Sequence, residues 1–172
     1  MTPNVVVLAV SAAWEAEQIY RDVLRKLHDA NPRATIRTTS RSQGATREAR
    51  DFAETLGLSI EEWPLQSWPK YAAEIRNQGM LDGYIREPHN PLIVIEKRPR
   101  ADLLMAFHSN TSDNVQELIK RRIHGGDPLV VYREIKIKNK RTKEVRYEGI
   151  ERAENDKKKR NRFGEWRKIQ DA

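Results

Sequence analysis

The fold is decided by one stretch in the second half of the chain, LLMAFHSNTSD at residues 103–113. Residues 103–107 are all apolar, which is typical of a strand buried on both faces of a parallel sheet. The next residues are small and polar, and a helical pattern then runs from residue 111 to residue 123, where Gly125 and Gly126 provide a stop signal. The stretch therefore predicts a buried strand, a polar turn and a helix, which is the repeating unit of α/β folds.

The same alternation of strands and helices extends over most of the chain. The run at residues 4–10 is apolar and rich in β-branched residues, and is predicted to be the first, central strand. Ser11 is expected to cap a helix that ends near Asn31, before Pro32. Further strands are predicted at residues 34–38, 58–63 and 129–132 (the last of the sheet), helices at 46–56 and 70–85, and a short extra strand at 92–95. We therefore expect an α/β fold with a doubly wound, mainly parallel sheet.

Positive charge is concentrated near the C-terminal end. The net charge of the chain is +7, but residues 134–172 hold 14 Lys/Arg against 8 Asp/Glu, whereas residues 1–133 hold 18 against 17. We expect one domain at residues 1–133 and a C-terminal basic arm at residues 134–172. Apolar and charged residues alternate at 135–138 and 145–148, which predicts a charged hairpin. Residues 157–162 are expected to be flexible or to form a solvated helix.

Composition excludes several kinds of site. The chain has no cysteine, so disulfides, thiolate nucleophiles and zinc-thiolate sites are excluded. Its four histidines lack the spacing of metal ligands, and we expect neither a metal nor another cofactor. There is no run of about 18 apolar residues, and the N-terminal apolar stretch lacks the basic leader of a signal peptide. A cytoplasmic protein without a membrane partner is expected.

Two predicted loops are suited to an anionic ligand. Residues 109–112 (SNTS) lie between a strand and a helix, where small side chains admit a ligand and free N–H groups at the helix start favour phosphate. The loop at residues 40–44 offers Ser42, Gln43 and a turn at Gly44. An ordinary helix cap and a plain turn are the alternatives.

The helix predicted from Lys70 onward contains a third candidate element. Arg76 can offer a charge-assisted fork to phosphate or carboxylate, and Asn77 shares one helical stripe with Lys70 and Glu74. The alternative is a solvated helix face with an i,i+4 pair between Lys70 and Glu74.

These elements together resemble the SLOG nucleotide-binding superfamily, in particular its YspA-like branch. The resemblance spans about residues 4–133, and its matching residues are Gly44-Ala45, Trp68, Lys70, Ile75-Arg76-Asn77, Met80-Leu81, Ala101-Asp102-Leu103 and Ala106-Phe107. It implies a modified Rossmann-like sheet whose loops bind nucleotides or nucleotide-derived ligands, and it is compatible with a homo-oligomer. The expected ligand-binding residues are Ser11, Ser42, Gln43, Gly44, Lys70, Arg76, Asn77, Ser109, Asn110, Thr111 and Ser112.

The chain also departs from the family pattern. It lacks the glycines that the family has after the strand ending at Phe107, and about a dozen residues are inserted near residues 86–98. The Lonely Guy phosphoribohydrolases of the same superfamily carry a Glu at a position that corresponds here to Asn114 or, in an ungapped reading, to Gln116. Cleavage of a ribosyl bond needs a carboxylate, which neither amide supplies. Asp113 and Glu117 are the alternative carboxylates on the same helix.

Three functions follow from these observations. The leading hypothesis is a sensor or sequestering module that binds a nucleotide-like small molecule. The second is an N-glycosidase or phosphoribohydrolase. The third is single-stranded nucleic-acid binding through residues 134–172, as in the related DprA proteins, with Tyr147, Phe163 and Trp166 as stacking residues. A solubilising or oligomer-clasping arm is the alternative for that segment.

Overall fold

The computed structural model describes residues 2–40, 42–64, 71–109, 113–156, 158–159 and 161–171. These residues form nine strands and four helices. In chain order they are β1 (Val5–Val10), α1 (Glu17–Ala30), β2 (Thr35–Thr39), α2 (Gly44–Thr55), β3 (Ser59–Trp63), α3 (Ala72–Asp82), β4 (Tyr84–Glu87), β5 (Asn90–Lys97), β6 (Leu103–His108), α4 (Asp113–Gly125), β7 (Leu129–Lys138), β8 (Val145–Glu154) and β9 (Arg167–Asp171).

Seven of the strands form one sheet in the order β3-β2-β1-β6-β7-β8-β9. The first five strands in this order run parallel, whereas β8 and β9 are antiparallel to their neighbours. From β1 the strand order proceeds in opposite directions, with β2 and β3 on one side and β6 and β7 on the other. The predicted α/β class with a mainly parallel sheet is confirmed.

All six residues of β1 are buried because helices cover both faces of the sheet. Its even-numbered residues pack into a core that α1 and α2 complete, in which Tyr20 and Ala49 are fully buried. Its odd-numbered residues pack into a second core with α3 and α4, which includes Met80 and Leu118. A strand with two covered faces needs apolar residues at every position, which explains its continuous apolar run.

The C-terminal segment extends the main sheet. The prediction that residues 129–132 form the last strand is wrong, because β7 continues to Lys138 and β8 and β9 follow it. The expected hairpin is present as the antiparallel pair of β7 and β8. The expected boundary between residues 133 and 134 lies inside β7, and Ile150 of β8 is fully buried in the core beside α1 and α2. Residues 157 and 160 lie outside the described residues, so the prediction for 157–162 is not tested.

Two helices differ from their predicted limits. The expectation that Ser11 caps α1 is wrong, because α1 begins at Glu17 with Ala16 at the N-cap position. The Ser11 hydroxyl oxygen instead accepts a hydrogen bond from the Ser109 backbone N–H at 2.9 Å. Helix α3 ends at Asp82, earlier than predicted, because Gly83 adopts a left-handed conformation with φ 84°.

Strands β4 and β5 form a separate two-stranded antiparallel sheet between α3 and β6. The short extra strand expected at residues 92–95 is therefore present, as the centre of the longer strand β5. We call residues 84–97 the β4–β5 hairpin. Among the described residues, no helix combines the length and apolar character that crossing a membrane requires.

Candidate functional site

A pocket of about 290 Å³ opens at the carboxyl ends of β1 and β2. Its lining comes from both of these strands, the loop before α2, the first turn of α2, and helices α3 and α4. The lining residues are Leu8, Ala9, Val10, Ala12, Thr39, Ser40, Ser42, Gln43, Thr46, Arg76, Asn114, Val115 and Leu118. Ligands of open α/β sheets bind at this edge, near the strand where the order reverses direction.

The start of α2 forms one wall of this pocket. Gly44 has φ 56°, and a Cβ atom there would lie 2.7 Å from the Ala12 carbonyl oxygen. The backbone N–H of Ala45 donates to the same oxygen at 3.1 Å, and the Thr46 hydroxyl donates to the Val10 carbonyl at 2.5 Å. Gly44 therefore holds α2 close to the turn after β1, while Ser42 and Gln43 lie in the pocket lining.

Arg76 reaches the pocket from α3 and is 9% exposed. Its Nη2 donates to the Asn114 Oδ1 oxygen at 2.9 Å, and its Nε and Nη2 each lie 3.4 Å from Asn77 Oδ1. Both acceptors are neutral amides. Within the described part of the chain, Nη1 makes no hydrogen bond and the guanidinium makes no ion pair.

The other two arginines that are buried among the described residues are compensated differently. Arg37 is fully buried and pairs with the Glu61 carboxylate at 2.9 Å, and it also donates to two backbone carbonyls. Arg122 donates to two backbone carbonyls and lies 4.0 Å from the Asp127 carboxylate. A buried guanidinium normally has such an anionic partner. Arg76 lacks one among the described residues.

Burial lowers the pKa of Arg76 from its ordinary value, and the negative charge of Glu117 opposes this effect. Glu117 is itself occupied, because its Oε2 accepts from Asn77 Nδ2 at 3.0 Å and its Oε1 accepts from Arg121 Nε at 2.8 Å. A guanidinium stays protonated at neutral pH. Arg76 thus presents a positive charge to the pocket.

Asn77 is fully buried behind Arg76 and joins α3 to α4. Its Nδ2 donates both to Asn114 Oδ1, at 3.0 Å, and to the Glu117 carboxylate. It does not line the pocket. Asn77 was predicted to bind the ligand, and the structure places it where it positions Arg76 and Asn114.

The structure separates the two candidates for the position of the family's Glu. Asn114 lies in the pocket and contacts Arg76. Gln116 lies on another face of α4, where it lines a different groove with His108 and Trp166. Of the two positions, Asn114 is therefore the one that faces the pocket beside Arg76.

The remaining predicted ligand residues fall into two groups. Ser11 and Ser109 are buried and bonded to each other, and neither lines the pocket. Lys70, Asn110, Thr111 and Ser112 lie outside the described residues, as does Trp68.

Among the described lining residues there is no Asp, Glu or His. The part of the chain that the structure describes also contains no group of three His, Asp or Glu residues able to hold a metal ion. The described lining residues therefore offer hydrogen bonds and the positive charge of Arg76, which suit binding of an anion.

The aromatic residues predicted for nucleic-acid stacking contribute to packing. Phe163 and Trp166 contact each other with ring centroids 5.1 Å apart and pack partly buried against the core of α4. The Arg133 guanidinium lies 3.8 Å from the centre of the Trp166 ring. Tyr147 is also partly buried, against the core on the α1 and α2 face. All three are only partly available to a base.

No known protein family, curated protein or solved structure matches the chain. The resemblance to the SLOG superfamily thus remains a prediction from motifs. The observed geometry of Arg76 and Asn114 does not depend on it.

Sequence reasoning missed the part that Thr46 and Asn114 play in the pocket. Thr46 directly follows Gly44 and Ala45, which match the family motif, and it is the third residue of α2. Its position at a helix start was therefore the sequence feature that could have predicted its place in the pocket. Asn114 was considered only as a replacement for a catalytic residue. Its bond to Arg76 joins positions 38 residues apart, and no local pattern reveals such a contact.

Proposed function

We propose that this pocket binds a nucleotide or nucleotide-derived ligand and that the protein acts as a sensor or sequestering module. The observation that carries the proposal is the buried Arg76 guanidinium, which faces the pocket with only amide partners among the described residues. A phosphate group would supply the missing negative charge and accept from the unused Nη1 donors.

The surrounding backbone supports an anionic ligand. The pocket is lined by Gln43 and Thr46 at the start of α2 and by Asn114 at the start of α4. Helix starts carry partial positive charge, so two of them beside one arginine favour phosphate. The hydroxyls of Ser40 and Ser42 are available for the sugar or the base.

The size of the pocket favours a small ligand. Its volume of about 290 Å³ is near the lower end of the range for small-molecule sites, about 300 to 1,000 Å³. We therefore expect a mononucleotide or a similar compound to fit more fully than a dinucleotide.

The position of Glu117 favours binding without hydrolysis. Glu117, a possible substitute for the family's catalytic Glu, is held by Asn77 and Arg121 and does not line the pocket. Incubation with nucleoside monophosphates and chromatography for free base tests the hydrolase alternative. Release of base by the wild type and not by an Arg76→Gln variant would overturn the proposal of a pure binding module.

Calorimetry against a panel of nucleotides and inorganic phosphate tests the binding proposal. Charge-assisted hydrogen bonds contribute about 1.5 to 3 kcal/mol, so Arg76→Gln is expected to weaken binding about 10- to 100-fold. The matched control is Arg47→Gln on α2, whose side chain is 72% exposed and does not line the pocket. The affinity of the Arg47→Gln variant should equal that of the wild type.

Two outcomes would contradict the proposal. One is the absence of binding of any nucleotide or of phosphate at millimolar concentration. The other is unchanged affinity in the Arg76→Gln variant, once circular dichroism has shown that the variant folds.

A further inference from the structure

A groove of about 290 Å³ lies between α4 and the segment at residues 161–166, which follows β8. Residues of β6 and β7 form its floor. Among the described residues, none lines both this groove and the pocket beside Arg76, so the two cavities are separate. We call this second cavity the α4 groove.

Half of the described lining of the α4 groove is apolar. The apolar residues are Ile119, Ile123, Val131, Phe163 and Trp166. Phe163 and Trp166 are only partly buried, and their ring centroids lie 5.1 Å apart. Small-molecule sites typically combine apolar and aromatic walls with a few polar groups that orient the ligand. A flat ring placed here would be removed from water and would contact the two aromatic side chains.

The charges at the α4 groove are positive. Its described lining contains no Asp or Glu. Lys120 is exposed on α4 and forms no ion pair within the described part of the chain. Arg133, by contrast, donates to the Glu151 carboxylate at 2.7 Å, and its guanidinium lies 3.8 Å from the centre of the Trp166 ring. The charge of Arg133 is therefore already compensated, whereas that of Lys120 is not.

His108 adds a polar group to the floor of the groove without adding charge. It is the last residue of β6 and is half-buried. Burial and the positive charge of Arg133 lower the pKa of His108 from its ordinary value. The imidazole is therefore neutral at neutral pH and can still form a hydrogen bond. Lys120 thus supplies the uncompensated charge of the described lining.

We propose that the α4 groove is a second ligand site, which binds a small aromatic carboxylate. The aromatic ring lies against Phe163 and Trp166, and the carboxylate reaches the Lys120 ammonium group. A cationic ligand is disfavoured because the described lining has no acidic side chain. One uncompensated ammonium group matches a single negative charge, which favours a carboxylate over a phosphate monoester with nearly two.

An NMR titration of the full chain with cinnamate and with cinnamamide tests this proposal. The two probes have the same flat ring system and differ in charge. The indole N–H signal of Trp166, assigned by its loss in a Trp166→Phe variant, reports whether the groove is occupied. Cinnamate is expected to shift this signal with a Kd of about 5 mM or lower. Cinnamamide should bind about 3- to 5-fold more weakly, because it lacks the ion pair.

Variants then identify the charge and the site. Lys120→Met should weaken cinnamate binding about 3- to 5-fold and leave cinnamamide binding unchanged, because it removes only the ammonium group. The matched control is Lys26→Met on α1, since Lys26 is also exposed and does not line the groove. Its cinnamate affinity should equal that of the wild type. Arg76→Gln should leave cinnamate binding unchanged as well, which separates this site from the proposed nucleotide pocket.

Several results would overturn the proposal. One is a Trp166 signal that does not shift at about 20 mM cinnamate, several times the expected Kd. Equal affinities for the two probes would have the same meaning, as would unchanged cinnamate affinity in Lys120→Met or its loss in Arg76→Gln. A thymidine oligonucleotide that shifts the Trp166 signal where cinnamate does not would assign the groove to nucleic acid instead.

Discussion

Glu134 shows how a single residue can oppose the stability of its own fold. This carboxylate on β7 is 1% exposed, and its Oε1 accepts from the Glu15 backbone N–H at 3.0 Å. Its Oε2 has no hydrogen-bond partner among the residues that the structure describes. Burial raises the pKa of Glu134 from its ordinary value, although the bond from Glu15 and the charge of Lys136 oppose this effect.

The direction of this shift determines its effect on stability. Because the folded-state pKa is higher than the unfolded-state pKa, folding favours the protonated acid. The contribution of Glu134 to stability is fully present below the unfolded pKa and is lost as the pH rises through the folded pKa. The ionised form of Glu134 is therefore less favourable in the folded protein than in the unfolded chain.

Glu134→Gln is expected to stabilise the protein at pH 7, by an amount on the order of 1 kcal/mol, because the amide retains an acceptor for the Glu15 N–H without the charge. Thermal unfolding at neutral pH and at about pH 4 measures this, and the gain should shrink at the lower pH. The control is Glu144→Gln in the exposed turn between β7 and β8, which should show no such trend. A larger gain at acid pH than at neutral pH would contradict the assignment.

At the scale of elements, the start of α2 depends on contact with the turn after β1. Gly44 combines a positive φ with a close approach to the Ala12 carbonyl oxygen. Gly126 also has a positive φ, of 73°, but a Cβ there would meet nothing within 4 Å. Alanine substitutions at these two glycines therefore separate the cost of the left-handed backbone conformation from the cost of the clash with the Ala12 carbonyl oxygen.

Gly44→Ala is expected to destabilise the protein by about 2 to 3 kcal/mol, and Gly126→Ala by about 1 kcal/mol, since only the first adds a clash to the left-handed conformation. Urea unfolding measures both values. Gly44→Ala should also weaken binding of phosphate, because Ala12 lines the pocket. Equal losses of stability in the two variants would show that the close approach to Ala12 does not add to the cost of the Gly44 substitution.

At the scale of the whole molecule, the C-terminal segment is part of the folded sheet. β8 pairs with β7 along residues 130–138, and its Ile150 and Ala153 are buried. Chain termination after Arg133 is expected to prevent cooperative folding, because β7 would be cut and the core beside Ile150 opened. Termination after Asp156 keeps β8 and is expected to give a folded, less stable protein. Circular dichroism and thermal unfolding compare the two, and a cooperative transition in the shorter protein would contradict this view.

Sequence alone predicts the strands of this molecule that are buried on both faces. β1 is apolar throughout and β6 is apolar over residues 103–107 because both faces are covered, and the parallel sheet follows from them. β8 is half exposed and carries alternating charges, so its pattern indicated a hairpin but not its place in the main sheet. Arg76 was recognisable as a candidate, whereas its lack of a carboxylate partner among the described residues depends on the packing of α3 against α4.

The charge of Arg76 also bears on selectivity. A buried cation attracts any small anion that enters the pocket, so inorganic phosphate would compete with the proposed nucleotide-like ligand wherever it is abundant. Discrimination would then come from contacts to the rest of the proposed ligand, and Thr39, Ser40, Ser42 and Gln43 are polar residues of the described lining that could make them. The loop before α2, rather than the arginine, is where related chains with different ligands would be expected to differ.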